Sequence, residues 1–270
     1  MLTTAEIIKK YNLYTKKSLG QNFLTDTNLL AKIVKCAGNI ENENILEIGT
    51  GPAGLTTAIL DQNPKKLVTI DTDVRCEDII RNEIKPYFGI LEFRCCDALK
   101  IDENEFFQDK FTIISNLPYN IGVTLLLKWL NNTKNINDII LLLQKEVVER
   151  IVAKAKTKEY GSLSVICQYL CDVKKYFDIP PGAFYPAPKV ISSVIGLTPK
   201  KEVDQQKARG LFVLCKILFG QRRKTILNNL KNTWKNAESC LAKIGIDGKR
   251  RGEELSVEEI AMISEYYLHT

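Results

Sequence analysis

The segment SNLPY at positions 115–119 places several chemically useful groups directly after an apolar run, FTII at 111–114. Proline fixes its own φ angle and biases the residue before it away from the helical region, so Pro118 makes the chain around it rigid. The segment is either a plain chain terminator or a fixed cluster of an amide side chain, a main-chain carbonyl and an aromatic ring. The second interpretation offers hydrogen-bond acceptors beside a face on which a planar group can stack.

A second group of such residues follows the apolar run at 44–49. Gly49, Gly51 and Gly54 match the pattern G-x-G-x-x-G between a predicted strand and a predicted helix. Glycines at this spacing permit a tight turn and let a ligand approach backbone amides at a helix N-terminus. The pattern alone is weak, but Asp71 ends the next predicted strand about 20 residues later, where a ribose-binding carboxylate is expected.

Polar residues also end the third and fourth predicted strands, at Asp97 and Asn116. Ligands of parallel α/β sheets bind outside the carboxyl ends of the strands. Gly49, Asp71, Asp97 and Asn116 should therefore converge on one nucleoside-like ligand. Each of them singly fits a turn glycine or a solvated strand-end side chain equally well, whereas four at consecutive strand ends favour a site.

The elements that must position these residues are apolar runs at 44–49, 66–71, 91–97, 111–115 and 138–144. The runs are continuous rather than alternating, which is typical of strands covered on both faces, and helical stretches fit between most of them. This order predicts an α/β fold with a parallel, doubly wound sheet. Two further β-rich runs, at 164–179 and 189–199, could add an antiparallel edge.

The spacing of the apolar residues changes after residue 200. The segments LFVLCKILF and KTILNNLKNTW have helical periodicity, and a capped terminal helix should begin near Ser256. We therefore predict a larger domain over residues 1–199 and a small all-α domain over residues 200–270.

Composition excludes several classes of protein. The 270 residues are 45% hydrophobic and 26% charged, which is ordinary for a globular chain with a core. No apolar run reaches membrane-spanning length, and the first residues lack a signal-peptide pattern, so we expect a cytoplasmic protein that does not bind membranes. The eight cysteines form no C-x-x-C pair and the single histidine is His269, so neither a metal site nor a disulfide scaffold is predicted. The net charge of +6 leans weakly toward a polyanionic partner.

Two nucleoside cofactors fit the strand-end residues. NAD suits the glycines, but dehydrogenases usually need a proton donor or acceptor beside the hydride centre. The only Tyr-x-x-x-Lys match, Tyr185 to Lys189, contains two prolines and cannot form a helical turn. S-adenosylmethionine suits the site better, because it has a ribose and an adenine but no pyrophosphate, and its cationic sulfonium tolerates nearby carboxylates.

The NLPY segment resembles the N-P-P-Y type motif of amino-methyltransferases. The exocyclic amine of adenine is a poor nucleophile because its lone pair is delocalised into the ring. The Asn116 side-chain oxygen and the Leu117 carbonyl could bind its two N–H groups and favour the pyramidal state, with Pro118 holding that carbonyl rigid. Tyr119 would offer a face on which the base stacks. No strong general base is needed for this chemistry.

Three segments together resemble the ribosomal RNA adenine dimethyltransferases, most closely the small-subunit branch: KSLGQNFL at 17–24, NLPYN at 116–120 and PGAFYPAPKV at 181–190. The resemblance runs from about residue 11 to 260, in order and with the right spacing. It implies a class I methyltransferase Rossmann-like fold and S-adenosylmethionine as cofactor. It also implies N6,N6-dimethylation of two adjacent adenosines in the 3′-terminal hairpin loop of small-subunit (16S) ribosomal RNA during ribosome biogenesis.

The resemblance implies roles for individual residues. The cofactor contacts would be Asn22, Leu24, Gly49, Gly51, Asp71, Thr72, Asp97, Ala98 and Asn116. Asn116, Leu117, Pro118 and Tyr119 would hold the target amine and its base, and Phe184 would form a second aromatic surface opposite Tyr119. The family usually has a glycine before the Asp-Ala-Leu segment, where this chain has Cys96.

Basic clusters fit a large RNA partner, and the enzyme is expected to act as a monomer. The candidate phosphate contacts are Lys16, Lys17, Arg150, Arg222, Arg223 and Lys224. The cluster at 222–224 should open a helix, where the helix dipole disfavours cations, and a phosphate would relieve that cost. A solvated basic face is the alternative.

Three other functions compete with this interpretation. A large-subunit ribosomal RNA methylase of the erythromycin-resistance type would share the glycine loop and an N-x-P-Y motif, but the NLPYN and FYPAPKV segments favour the small-subunit branch. A non-catalytic ribosome assembly factor could keep the fold, although an intact set of Asn116, Tyr119 and Phe184 favours catalysis. An NAD-dependent oxidoreductase is disfavoured for the reasons above.

Overall fold

The computed structural model describes residues 2–13, 22–84, 89–201 and 205–268. The chain forms two compact units. The first comprises Met1–Lys145 and Lys174–Thr198, and the second comprises Glu146–Val173 and Pro199–Thr270. The boundary that the sequence predicts near residue 200 would put residues 146–173 in the first domain. In the structure this segment belongs to the second unit.

Nine strands form two sheets in the described part of the chain. They are β1 (Phe23–Leu24), β2 (Asn44–Ile48), β3 (Lys66–Asp71), β4 (Leu91–Cys95), β5 (Phe111–Asn116), β6 (Ile136–Gln144), β7 (Cys171–Ile179), β8 (Phe184–Tyr185) and β9 (Ser192–Pro199). The larger sheet has seven strands in the order β4-β3-β2-β5-β6-β9-β7, and β1 pairs with β8 in the smaller one.

The central strands of the large sheet are parallel. β2 pairs with β3 and β5, β3 pairs with β4, and β5 pairs with β6, all in parallel register. β9 runs antiparallel to β6, as the sequence predicted for an edge after residue 189. The side chains of β2 are buried along its whole length, which explains why its run is apolar without alternation. The predicted doubly wound α/β fold is confirmed.

Five helices belong to the first unit: α1 (Thr4–Lys10), α2 (Thr27–Lys35), α3 (Gly54–Leu60), α4 (Arg75–Glu83) and α5 (Gly122–Leu130). The strand order reverses at β2, which lies between β3 and β5. A crevice opens beyond the carboxyl ends of the strands at such a switch point, so the ends of β2, β3 and β5 are where a ligand site is expected.

The second unit is mainly helical. It contains most of α6 (Lys145–Val152), α7 (Ser162–Leu170), α8 (Gln205–Gly220), α9 (Ile226–Leu230), α10 (Ala237–Lys243) and α11 (Val257–Leu268). Ser256 caps α11, since its hydroxyl accepts a hydrogen bond from the Glu259 amide at 3.2 Å and the Glu259 carboxylate accepts one from the Ser256 amide at 2.7 Å. The helix start predicted near Ser256 is confirmed.

The prediction of a β-rich run over 164–179 is wrong in its first half, because residues 164–170 belong to α7. Val165, Ile166 and Leu170 are buried, and α7 packs against α8 and α11. Burial on several sides lets β-branched residues occupy a helix despite their preference for strands. The same packing explains why this segment joins the second unit.

Candidate active site

A cavity of about 250 Å³ lies at the carboxyl ends of the central strands in the first unit. Most of the residues predicted to form a site line it: Asn22, Gly49, Gly51, Asp71, Thr72, Asp97, Ala98, Asn116, Leu117, Pro118 and Tyr119. Gly49, Asp71, Asp97 and Asn116, which the sequence predicted to converge from consecutive strand ends, are all among them.

The glycine loop after β2 curls into this cavity. Gly49 and Gly51 have φ angles of 88° and 49°, which side chains disfavour. A Cβ atom at Gly51 would lie 2.8 Å from the Phe23 ring, so that ring covers the loop closely. A Cβ atom at Gly54 would lie 2.8 Å from the Thr4 hydroxyl, so the third glycine permits close packing of α3 rather than ligand approach.

Asp71 ties the loops after β2 and β3 together. Its Oδ2 accepts a hydrogen bond from the Gly51 amide at 3.0 Å, and its Oδ1 accepts one from the Asp73 amide at 3.0 Å. A carboxylate oxygen can accept more than one hydrogen bond, so both oxygens keep capacity for donors such as sugar hydroxyls. Asp71 therefore both shapes the cavity and offers it a negative charge.

Glu47 lies at the centre of this network and was not predicted as a functional residue. Its Oε2 accepts hydrogen bonds from Thr56 Oγ1 at 2.6 Å and Thr69 Oγ1 at 2.9 Å. Its buried Oε1 has no hydrogen-bond partner within the part of the chain that the structure describes. Burial is the main cause that raises the pKa of the Glu47 carboxyl, and the charge of Asp71 adds to it. Together they outweigh the lowering effect of the two hydroxyls and bring this pKa to about 8. Glu47 is thus protonated at neutral pH in the folded protein.

Replacing Glu47 with glutamine should flatten the dependence of stability on pH. An unfolded Glu47 titrates near 4.5 and the folded one near about 8, so between these values the folded state holds more protons. The free energy of unfolding from this group therefore falls as the pH rises through that window. Glutamine keeps an acceptor for the threonines and does not ionise. Urea unfolding at several pH values measures the slope, with exposed Glu41→Gln as control; equal slopes for the wild type and Glu47→Gln would contradict the prediction.

The side-chain amide of Asn116 has a fixed orientation. Its Nδ2 donates a hydrogen bond to the Asn22 carbonyl at 3.2 Å. Only the nitrogen of this amide can donate a hydrogen bond, so the bond to Asn22 fixes the positions of Nδ2 and Oδ1. Oδ1 can then accept a hydrogen bond from a ligand. A Cβ atom at Gly49 would lie 3.4 Å from the Asn116 carbonyl, which shows how closely the ends of β2 and β5 approach.

The turn after Asn116 is held at both ends. The Leu117 side chain is buried, and the Pro118 carbonyl accepts hydrogen bonds from the Ile121 and Gly122 amides at 3.2 and 3.1 Å. These bonds close the turn directly before α5. The Tyr119 hydroxyl lies 2.6 Å from Ser192 Oγ, and burial raises the pKa of Tyr119 above its ordinary value of 10.0.

Lys128 supports the part of the cavity wall that contains Asp97 and Ala98, and it was not predicted from the sequence. Its Nζ donates hydrogen bonds to the Ala98 and Ile101 carbonyls at 2.7 and 2.6 Å and pairs with Glu103 at 2.8 Å. These contacts hold the loop that carries Asp97 and Ala98. A lysine within the otherwise apolar stretch LLLKWL was the signal that could have revealed it.

Leu24 and Phe184 do not line this cavity, so the structure does not bring them together with the other predicted residues. They are register partners in the β1–β8 pair and are buried in the core, Phe184 with 5% of its surface exposed. Side chains alternate along a strand, and directly paired residues share a face. Phe23, which does line the cavity, and Tyr185, which is 50% exposed, therefore occupy the other face.

The predicted basic contacts in the second unit are exposed, and several are already paired. Arg150 pairs with Glu146, and Arg222 pairs with Glu253 at 3.1 Å and donates a hydrogen bond to the Lys158 carbonyl at 2.9 Å. Residues 222–224 lie between the end of α8 and the start of α9. They do not open a helix as predicted, and the C-terminal dipole of α8 favours cations there, so the expected electrostatic cost is absent. Lys16 and Lys17 lie outside the described residues.

Within the described residues, the structure shows neither a membrane-spanning helix nor a metal-binding cluster. Across the described ranges, every helix is too short or too polar to span a bilayer. In those same ranges, His, Cys, Asp and Glu side chains form no group of three or more that could hold a metal ion. The eight cysteines all belong to the described ranges, and none of them forms a disulfide there.

Comparison with known proteins identifies the family. The profile of the family described as ribosomal RNA adenine dimethylase matches residues 12–269. The chain belongs to this family. Adenine dimethylases of this family use S-adenosylmethionine, so the cofactor and the class of enzyme predicted from the sequence are confirmed.

Individual relatives agree with the family assignment. A protein of Wolbachia sp. subsp. Drosophila simulans (strain wRi), named Ribosomal RNA small subunit methyltransferase A, is 43% identical over 264 residues, covering 95% of each chain. Among solved structures, a dimethyladenosine transferase from Plasmodium falciparum superposes with a TM-score of 0.76 at 24% identity, covering 92% of this chain and 98% of that one. The 23S rRNA methyltransferase ErmE superposes with a TM-score of 0.69 at 20% identity, covering 92% and 100%. Both structures share the class I methyltransferase fold with this dimethylase.

Proposed function

We propose that this adenine dimethylase transfers methyl groups from S-adenosylmethionine to the exocyclic amines of two adjacent adenosines in the 3′-terminal hairpin loop of small-subunit (16S) ribosomal RNA. The fixed amide of Asn116, with its nitrogen on the Asn22 carbonyl, is the observation that carries the proposal. The name of the 43% identical relative favours the small subunit over the large one. Within a cell we place this activity in the cytoplasm, with the enzyme acting as a monomer.

The residues around the cavity fit the cofactor. Asp71 is proposed to accept the ribose hydroxyls, Gly49 and Gly51 to border the methionine moiety, and Asp97 with Ala98 to border the adenine. Asn22 and Thr72 complete the proposed contacts. When bound, S-adenosylmethionine supplies a methyl group on a cationic sulfur, and the nearby carboxylates are compatible with that charge.

The NLPY turn is proposed to bind and orient the target amine. The Asn116 Oδ1 and the Leu117 carbonyl would accept its two N–H groups and favour a pyramidal nitrogen, while the turn around Pro118 keeps both acceptors rigid. Tyr119 would stack on the base, a contact worth about 1–3 kcal/mol in nucleic-acid sites. Neither acceptor needs to change its protonation state during the transfer.

The basic residues are proposed as phosphate contacts. Arg150, Arg222, Arg223 and Lys224 are exposed on the second unit. Lys16 and Lys17, which lie outside the described residues, are proposed from the sequence alone. Bases in a hairpin loop can be splayed out and stacked, so the enzyme need not melt a duplex. Because Arg223 and Lys224 are not held by the ion pair that Arg222 makes, they are the stronger candidates.

Labelled S-adenosylmethionine with unmethylated small ribosomal subunits tests this function, with large subunits and free adenosine in parallel. We expect dimethyladenosine only in small-subunit RNA. Label in large-subunit RNA would favour the erythromycin-resistance type of methylase, and no label in any substrate would favour a non-catalytic assembly factor.

We predict that Tyr185, rather than Phe184, provides the second aromatic ring that stacks on the target base. Tyr185→Ala should raise KM for small subunits about tenfold, the lower end of what one stacked base contributes. Phe184→Leu should lower the melting temperature and leave KM near the wild-type value, since Phe184 is in the core. Tyr266→Ala removes another exposed tyrosine and is the matched control. The opposite pattern, in which KM rises only for Phe184→Leu, would restore Phe184 to this role.

A further inference from the structure

The hydrogen bond between Tyr119 and Ser192 joins the NLPY turn to a distant part of the chain. The Tyr119 hydroxyl and Ser192 Oγ are 2.6 Å apart, although the residues are separated by 73 positions. Ser192 is 0% exposed, whereas the Tyr119 ring lines the cavity. A buried hydroxyl therefore holds the outer end of a side chain whose ring forms the cavity wall.

Ser192 itself stands on a rigid support. It is the first residue of β9 and pairs with Gln144 at the end of β6. The Ile191 carbonyl before it accepts a hydrogen bond from the Lys145 amide at 2.9 Å. The pairing with Gln144 and the bond to Lys145 hold the backbone of Ser192 in place.

We infer that Ser192 is a positioning residue for methyl transfer, which acts by fixing the outer end of the Tyr119 side chain and so the place of its ring. A phenylalanine at position 119 would offer the same stacking face, but no hydrogen bond would hold its outer end, so the whole ring could shift sideways. The hydrogen bond therefore keeps the ring where the target adenine is proposed to stack on it. This inference rests on the proposed function, because that function assigns the stacking of the adenine to Tyr119.

Loss of the hydrogen bond between Tyr119 and Ser192 should lower kcat and leave cofactor binding unchanged. Loss of one ordinary hydrogen bond is worth about 1 kcal/mol, so Ser192→Ala should lower kcat on small subunits about five- to tenfold, with an unchanged Kd for S-adenosylmethionine. Tyr119→Phe removes the same bond from the other side and should lower kcat equally. The double variant should be no slower than either single one, since both changes remove one interaction.

Ser193→Ala is the matched control, because it removes a neighbouring buried hydroxyl that bonds to Asp178 instead of Tyr119. It should keep the wild-type kcat. Losses that multiply in the double variant, or an equal loss in Ser193→Ala, would overturn the inference while the wild type remains active on small subunits. A wild type inactive on small subunits would overturn the proposed function as well. If Ser192→Ala does not fold, an unchanged kcat in Tyr119→Phe is sufficient to overturn the inference.

Discussion

Replacing Asn116 with alanine is expected to reduce methyl transfer to small ribosomal subunits by about 10²- to 10³-fold, the usual cost of removing one preorganised polar group that stabilises a transition state. The Asn116 amide is fixed by its bond to the Asn22 carbonyl, so its oxygen needs no reorganisation when the amine arrives. Alanine removes that acceptor and leaves the nitrogen of the target amine planar and weakly nucleophilic. Most phosphate contacts proposed for the RNA lie elsewhere, so affinity for the RNA should be retained.

The measurement is single-turnover methyl transfer with labelled cofactor, together with filter binding of small subunits. Asn131→Ala is a matched control, because Asn131 also donates its Nδ2 to a carbonyl, that of Leu127 at 3.0 Å, but lies on the exposed end of α5. Its activity should equal that of the wild type. A loss of RNA binding in Asn116→Ala as large as the loss of activity would mean that Asn116 holds the RNA rather than the reacting amine.

The parts of the fold that the sequence predicted are those encoded by local patterns. The run at 44–49 is apolar without alternation because β2 is covered on both faces, so its burial could be inferred from its own residues. The strand-end positions of Asp71 and Asn116 follow from the same runs, since the carboxyl ends of parallel strands meet at one edge. A local pattern of this kind is sufficient to place a site at the sheet.

The parts that could not be predicted depend on pairing between distant segments. Phe184 was assigned to the cavity because of its motif, but its register partner in β1 decides which face it occupies. The segment at 164–170 has β-branched residues typical of a strand, and only its contacts with α8 and α11 make it helical. The bond from Ser192 to Tyr119 likewise joins residues whose proximity no local pattern encodes.

Replacing Asp71 with asparagine should raise the Kd for S-adenosylmethionine by about 100-fold. Both carboxylate oxygens already accept backbone N–H groups, from Gly51 and Asp73. An asparagine has one acceptor and one donor end, so its NH₂ group must face one of these N–H groups, and the glycine loop loses an anchor. The ribose hydroxyls also lose a charged acceptor, and two charge-assisted hydrogen bonds at about 1.5 kcal/mol each correspond to this factor.

Isothermal titration with S-adenosylmethionine measures this change, and exposed Asp78→Asn on α4 is the control for removing one negative charge from the same unit. The pH dependence of stability is a second measurement, which tests the effect of the Asp71 charge apart from its hydrogen bonds to the glycine loop. The charge of Asp71 contributes to the raised pKa of Glu47, so Asp71→Asn should lower that pKa. The free energy of unfolding should then stop declining at a lower pH than in the wild type. An unchanged Kd would remove Asp71 from the cofactor site. If the Kd rises but the pH dependence of stability is unchanged, the charge of Asp71 does not act on Glu47. The loss of affinity would then come from the ribose contact and the glycine loop.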